Sequence, residues 1–291
     1  MFSKLSYKKQ KNILITLFLV IPLIFLITFT YIPTFNMVRY SFYDWNGFSP
    51  NKQWIGVNNY IEVFTNKDYF TVFENSVYYF VGGIIQLIIA FYLAAVLSTK
   101  TKWKNTFKAL FFFPYLINSV AVSLIFIFFF RPDGTLDSIL KLLGLRALIR
   151  EWIGNEHIIN LSLAFVSIWR YMGFNFIVFL GAIQSISSEV LEAADIDGAN
   201  EWQKVRFILL PSVKRMVQLA LILNVSGAIS VFEIPFIMTG GANNSMTFVI
   251  QTVYTAFKFN RVGLASAMAV IVLLIVAVVT ILQQSLFKEE A

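Results

Sequence analysis

Arg170 and Glu233 are charged side chains set inside long apolar runs, and residues so placed are where any chemistry must lie. A charge at the centre of a membrane span costs roughly 2.5–3.5 kcal/mol on insertion scales, so such residues usually mark a solute or ion path. Arg170 stands between Trp169 and Tyr171, with Asn175 further along the same run. Asn224, Ser226, Phe232 and Glu233 share a later run, while Gln86 and Asn118 lie on two earlier ones. These are hydrogen-bond donors, acceptors and aromatic faces. They suit the holding of a polar or anionic hydroxylated solute, not the breaking of a bond. A structural reading stands beside that one: Arg170 bonded to neighbouring carbonyls, and Asn118, Gln86, Asn224 and Ser226 serving as hydrogen-bonding links between helices.

Depth separates the two charges. Arg170 is about twelve residues, ~18 Å, from the outer end of the run 158–181, and Glu233 is about six residues, ~9 Å, from the outer end of 216–239. A direct Arg170–Glu233 pair is therefore not expected. Enzymatic alternatives are thinly supplied. The chain has one histidine (His157) and no cysteine. It also lacks the G-x-x-x-x-G-K-[ST] loop that cradles nucleotide phosphates and any pair of carboxylates spaced for acid–base work on one run.

The elements that must position these residues follow from composition. The 291-residue chain is 58% hydrophobic and 13% charged, against roughly a quarter charged in soluble domains. Apolar runs at 13–33, 73–97, 109–130, 158–181, 216–239 and 262–286 predict six spans. Basic residues flank them: Lys4, Lys8, Lys9 and Lys11; Lys100, Lys102, Lys104 and Lys108; Lys204, Arg206, Lys214 and Arg215; Lys288. Placing these segments inside puts both termini in the cytoplasm. The net charge of +7 is thus a topology signal, and no nucleic-acid partner is expected. The first run is too long for a secretory signal and no small-x-small cleavage site follows it. Gly82-Gly83 predicts close helix packing, 136–149 a short amphipathic helix, and 240–260 a polar external turn and re-entry segment. The aromatic stretch 36–70 suits the outer interface.

Between the fourth and fifth runs lies a polar loop, 182–215, that cannot sit in hydrocarbon. Ser187 or Ser188 can cap one short helix, with Glu189 and Glu192 near its positive end. Gly198 suits its stop. Asn200, with Gln203 three residues on, can cap a second helix. Trp202, Val205, Ile208 and Leu209 share a face of that helix, and Pro211 ends or bends it.

The pattern Glu192-Ala193-Ala194, three residues, Gly198, nine residues, Ile208-x-Leu210-Pro211 resembles the signature loop of the permease subunits of ABC importers. Asp197-Gly198-Ala199 is similar to the carbohydrate-uptake, maltose-type branch. Weaker echoes are Gly56-x-x-Asn59-Tyr60, Phe113-Pro114 with Asn118-Ser119, and the Pro132-Asp133-Gly134 turn. The resemblance implies an all-α integral membrane protein with the type I importer permease fold: six transmembrane helices and both termini cytoplasmic. One permease domain would cover 1–291, in a bacterial cell membrane.

The resemblance also implies that the loop docks on an ATPase subunit. Glu192 would be its salt-bridging or helix-capping acid, with Ala193, Ala194 and Gly198 kept small for close contact. Trp202, Val205 and Ile208 would anchor the second helix to the ends of the spans. The implied partners are a second permease chain, two ATPase subunits that hold ATP and Mg, an extracellular solute-binding protein, a sugar and the lipid bilayer. No cofactor would bind to this chain itself. The Trp169–Asn175 cluster covers the region of the family's sugar contacts without matching them residue for residue. Alternatives are a permease for another solute, such as glycerol phosphate, and a membrane assembly protein that transports nothing.

Overall fold

The computed structural model describes residues 6–98 and 103–286; Lys4, Lys100, Lys102 and Lys288 lie outside them. Among the described residues the regular secondary structure is helical apart from one hairpin of two-residue strands, Tyr43–Asp44 (β1) against Gln53–Trp54 (β2). Five helices are long and apolar enough to cross a membrane, or six if one bent pair counts as a single span. Six runs were expected. The difference is the third run, which bends sharply.

The first unit comprises the described residues through Asn66 with Thr252–Ile271. Helix α1, Tyr7–Tyr40, is longer than the expected 13–33 and takes in the start of the aromatic stretch. Its 27–31 segment is π-helical just ahead of Pro33, where the missing proline N–H relaxes the regular ladder. Helix α2 (Asn58–Thr65) follows the hairpin. Buried Asn59 explains the Asn-Tyr element there. Its amide donates to the carbonyls of Ser41 (2.8 Å) and Tyr43 (3.0 Å), locking the hairpin. Arg261 closes the unit with a bidentate pair to Glu62 at 2.6 Å.

The second unit comprises the described residues of Lys67–Gln251 with those from Val272 onward. Helix α3, Glu74–Ser98, buries Tyr79, Gly82, Gly83, Gln86, Ala90 and Ala94. That is a stripe of mostly small residues at three- and four-residue spacing, which lets backbones approach. The expected third span is instead two helices, α4 (Lys104–Leu116) and α5 (Ser119–Phe130), bent by 95°. Pro114 weakens the ladder at the end of α4, Ile117 is extended, and the Asn118 side chain caps α5 by accepting from the Val120 N–H (2.8 Å). Asn118 is thus exposed and structural. The amphipathic segment is shorter than 136–149: α6 spans Thr135–Leu142, and Gly144 at φ +74° breaks the helix before the turn Arg146–Leu148.

Helix α7 spans Ile159–Gln184. Gly173 faces α4 so closely that a Cβ there would lie 1.9 Å from the Phe111 carbonyl oxygen. Next come α8 (Ser188–Ile196) and α9 (Glu201–Lys204), the two short helices expected of the loop. The fifth span is broken as well: α10 (Lys214–Ile229) stops, Ser230–Phe232 leave the helix, and α11 (Glu233–Thr239) restarts. Thr247 Oγ1 donates to the Val231 carbonyl (2.8 Å), which keeps the break satisfied away from water. The 240–260 segment contains its own apolar helix, α12 (Phe248–Phe257). The last span, α13 (Val262–Leu286), matches its apolar run.

Local signals account for the loop. The Ser187 side chain accepts from the Glu189 N–H, and Asn200 with Gln203 makes a complete capping box. Gly198, at φ +76°, ends α8 with two bonds, Gly198 N–H to Asp195 O and Ala199 N–H to Ala194 O. Asn200→Ala is expected to cost about 1 kcal/mol of local stability. Hydrogen exchange of the 201–204 amides should quicken about fivefold. Unchanged exchange would mean that the box does not hold this helix.

Candidate functional site

Four elements of the second unit enclose a cavity of about 610 Å³, within the usual range for small-molecule sites. Helix α3 contributes Tyr79, Gly83 and Gln86; α7 contributes Ala164, Ser167, Ile168, Tyr171, Phe174 and Asn175. Helix α10 contributes Ala220, Leu223, Asn224, Gly227 and Ala228, and α4 sends in Tyr115. Each set recurs at three or four residues, so it occupies one helix face. The break after α10 adds Ser230, Phe232, Glu233 and Ile234. A non-helical backbone segment is tolerated at membrane depth where it lines such a cavity.

Of the residues singled out from sequence, Gln86, Tyr171, Asn175, Asn224, Phe232 and Glu233 meet here. Trp169 does not line the cavity; it packs edge-on against Phe126 with ring centroids 5.2 Å apart. The Ser226 carbonyl accepts from the Ser230 hydroxyl (2.5 Å), tightening the end of α10, and the Ser226 side chain is not among the lining groups. Asn224 donates to the Phe80 carbonyl (3.2 Å), so it links helices as well as facing the space. Phe232 stacks on Phe236 at 4.7 Å. Sequence reasoning missed Tyr79, Tyr115, Ser167 and Ser230. Tyr79 carries the clearest signal, because its hydroxyl is buried without a hydrogen-bond partner. Such a group costs about 1–3 kcal/mol unless something pairs with it.

The expectation that Arg170 and Glu233 stay apart is overturned. Arg170 Nη1 lies 3.3 Å from Glu233 Oε2 and donates to the Tyr171 hydroxyl at 2.9 Å. The depth argument assumed one unbroken fifth helix; leaving the helix at Ser230–Phe232 re-aims Glu233 toward α7. Arg170 itself is not a lining residue. Its side chain is 12% exposed and sits behind Tyr171, with its guanidinium 4.9 Å from that ring.

The second candidate surface is the Glu-Ala-Ala loop. Ala194 is buried, whereas Glu192, Ala193, Asp197 and Gly198 are exposed, and no ion pair within the described residues engages Glu192. Lys204 ties the two short helices together through Asp195 and pairs within its own helix with Glu201 at 2.8 Å. Those hydrogen bonds, Asp195 first, hold the Lys204 ammonium above the usual lysine range. A raised value leaves the clamp fully charged at neutral pH, and its contribution disappears only as pH climbs through that value. Leu209 is buried and Val205 packs beneath it, so these two anchor the second helix, with Ile208 half-buried beside them. Trp202 does not share that anchoring role. It is 67% exposed, as are Phe207 (67%) and Ile196 (87%). The helix continues from Lys204 through a π-helical segment, Val205–Leu209, and that wider turn shifts the register so that Trp202 does not share the buried face of Val205 and Leu209. Pro211 sits in the last short turn, Leu210–Ser212, where the helix ends as expected.

Broken membrane helices around a mainly apolar cavity with several polar groups in its wall, joined through a capped polar loop, define a solute-permease architecture. The chain belongs to the family described as "Binding-protein-dependent transport system inner membrane component", whose model matches residues 86–289. It is similar to the "Probable ABC transporter permease protein YurN" of Bacillus subtilis, with 37% identity over 96% of this chain and 97% of that one. It is also similar to the "Multiple sugar-binding transport system permease protein MsmF" of Streptococcus mutans, with 33% identity over 94% of each chain. Among solved structures, a chain of a bacterial alginate ABC transporter, crystallised with an alginate pentasaccharide-bound periplasmic protein, superposes with a TM-score of 0.83. That match covers 96% of this chain and 95% of that one at 19% identity, and carries the fold alone.

Proposed function

We propose that this chain is one permease subunit of an ATP-driven sugar importer, forming half of the translocation path. The observation that carries this reading is the cavity, whose hydroxyl, amide and aromatic groups from four elements suit a hydroxylated ring better than an apolar or metal ligand. Sugar-named relatives such as MsmF support it. The exposed apolar side chains of the Glu-Ala-Ala loop support docking on a cytoplasmic ATPase. On this reading the loop and both termini lie on the cytoplasmic side of a bacterial cell membrane. The full assembly would hold a second, homologous permease, two ATPase subunits with ATP and Mg, and an extracellular solute-binding protein. Glu192, exposed and in no ion pair among the described residues, would meet a basic group of the ATPase. Closure of the two ATPases would draw the paired loops together and rock the bundles between two nearly balanced states.

Sugar uptake into proteoliposomes holding the assembled complex tests this, with the binding protein outside and ATP inside. ATP-dependent accumulation of a mono- or oligosaccharide is expected. Tyr79→Phe should lower uptake about tenfold, on the scale of one lost hydrogen bond. The thermal midpoint should hold or rise, since an unpaired buried hydroxyl is removed. A complex that assembles and hydrolyses ATP but accumulates no sugar would refute the substrate class.

A further inference from the structure

The charge layout of the cavity deepens the sugar reading, on which it rests, by naming the kind of sugar. The polar lining apart from Glu233 is neutral: Tyr79, Gln86, Tyr115, Ser167, Asn175 and Asn224 are hydroxyls and amides. Glu233 lines the space and is 56% exposed, while Arg170, the cation that balances it, is 12% exposed and lies outside the lining. The pair cancels overall, yet the charge that a solute meets first is the carboxylate. An anionic solute would meet that like charge directly, with the balancing cation set behind it. A cationic solute would have to compete with Arg170 for Glu233. An uncharged polyol avoids both penalties and finds donors and acceptors on every side.

We propose that Glu233, held by Arg170, is a specificity-determining residue that excludes acidic sugars and restricts the cavity to uncharged ones. Arg170 keeps a latent capacity for anions. Its Nε is buried with no hydrogen-bond partner, and only Glu233 offsets its charge among the described ion pairs. Neutralising Glu233 should therefore invert the preference rather than merely weaken binding.

Saturation-transfer NMR on the assembled transporter in nanodiscs, without binding protein, isolates the permease's own selectivity. The probes are a panel of neutral di- and trisaccharides including maltotriose and raffinose, the acidic trigalacturonate, and the cationic chitosan trimer. Wild type is expected to bind at least one neutral sugar and neither charged one. Glu233→Gln should acquire trigalacturonate binding, strengthened about tenfold or more, and the double variant Arg170→Gln/Glu233→Gln should lose that gain while keeping the neutral ligand. The double variant also guards against a fold defect, because it leaves no stranded charge. Wild-type binding of trigalacturonate or of the chitosan trimer at a strength comparable to the neutral sugars would overturn the assignment. So would a Glu233→Gln complex that retains the neutral ligand and gains no acidic one. Failure of every sugar, charged or not, to bind any variant would instead strike at the sugar reading itself.

Discussion

Gly173→Ala is expected to block assembly of the helical core, or to lower its thermal midpoint sharply. A Cβ at this position would lie 1.9 Å from the Phe111 carbonyl oxygen, 2.8 Å from its carbon and 2.8 Å from Phe112 Cα. All three atoms are backbone, so no side chain can swing aside and helix α4 must retreat as a body. Overpacking of this sort costs about 1–3 kcal/mol and sometimes more. The retreat would also displace Tyr115, one helical turn beyond Phe111, from the cavity wall. Two other glycines calibrate the effect. At Gly83 the added atom would meet the tip of the Asn224 side chain, which can rotate at the cost of its bond to Phe80. At Gly181 nothing lies within 4 Å, so Gly181→Ala should be neutral or gain about 1 kcal/mol from helix propensity. Thermal unfolding of the three purified variants should rank Gly173→Ala far below Gly83→Ala, and that below Gly181→Ala. Equal midpoints for 173 and 181 would show that α4 and α7 do not touch there.

The second large effect is expected at the loop. Trp202→Ala combined with Ile196→Ser should release the ATPase subunit while leaving the permease folded. Both side chains are largely exposed, at 67% and 87%, and flank the Lys204 clamp that joins the two short helices. Exposed tryptophan on a small rigid platform is the commonest form of interface hot spot, with truncation costing about 2 kcal/mol or more, roughly thirtyfold in affinity. The capping box and the Gly198 stop involve neither side chain, so the platform should persist. Two measurements decide the matter: retention of the ATPase on a column bearing tagged permease, and the permease's own thermal midpoint. Lost retention at an unchanged midpoint supports docking. A fallen midpoint with retention intact would return Trp202 to the anchoring role expected from its spacing.

Most of the span layout, the short helices of the loop and their caps were legible in the sequence, because each is decided locally. A run of apolar residues must lie in hydrocarbon wherever its neighbours are. The Ser187, Asn200–Gln203 and Gly198 signals act through backbone groups at most a few residues away. Part of the candidate path was legible too, since Gln86, Tyr171, Asn175, Asn224, Phe232 and Glu233 stood out as polar or aromatic groups in apolar surroundings. Which of them face one another was not. Trp169 and Tyr171 differ by two positions, and about 200° of helix rotation sends one into packing with Phe126 and the other to the cavity.

The breaks at Ile117–Asn118 and Ser230–Phe232 were decided by tertiary structure. Pro114 and Pro235 signal a weak point but not its angle, which depends on what satisfies the freed carbonyls, as Thr247 does for Val231. Those breaks carry Glu233 to Arg170 and so determine the charge that the cavity presents. By itself the sequence determined the class of protein, because hydropathy, caps and a spaced loop motif are properties of a chain read in order. The selectivity of its cavity belongs to the tertiary structure, because a charge acquires its meaning only from the partner that packing brings within reach.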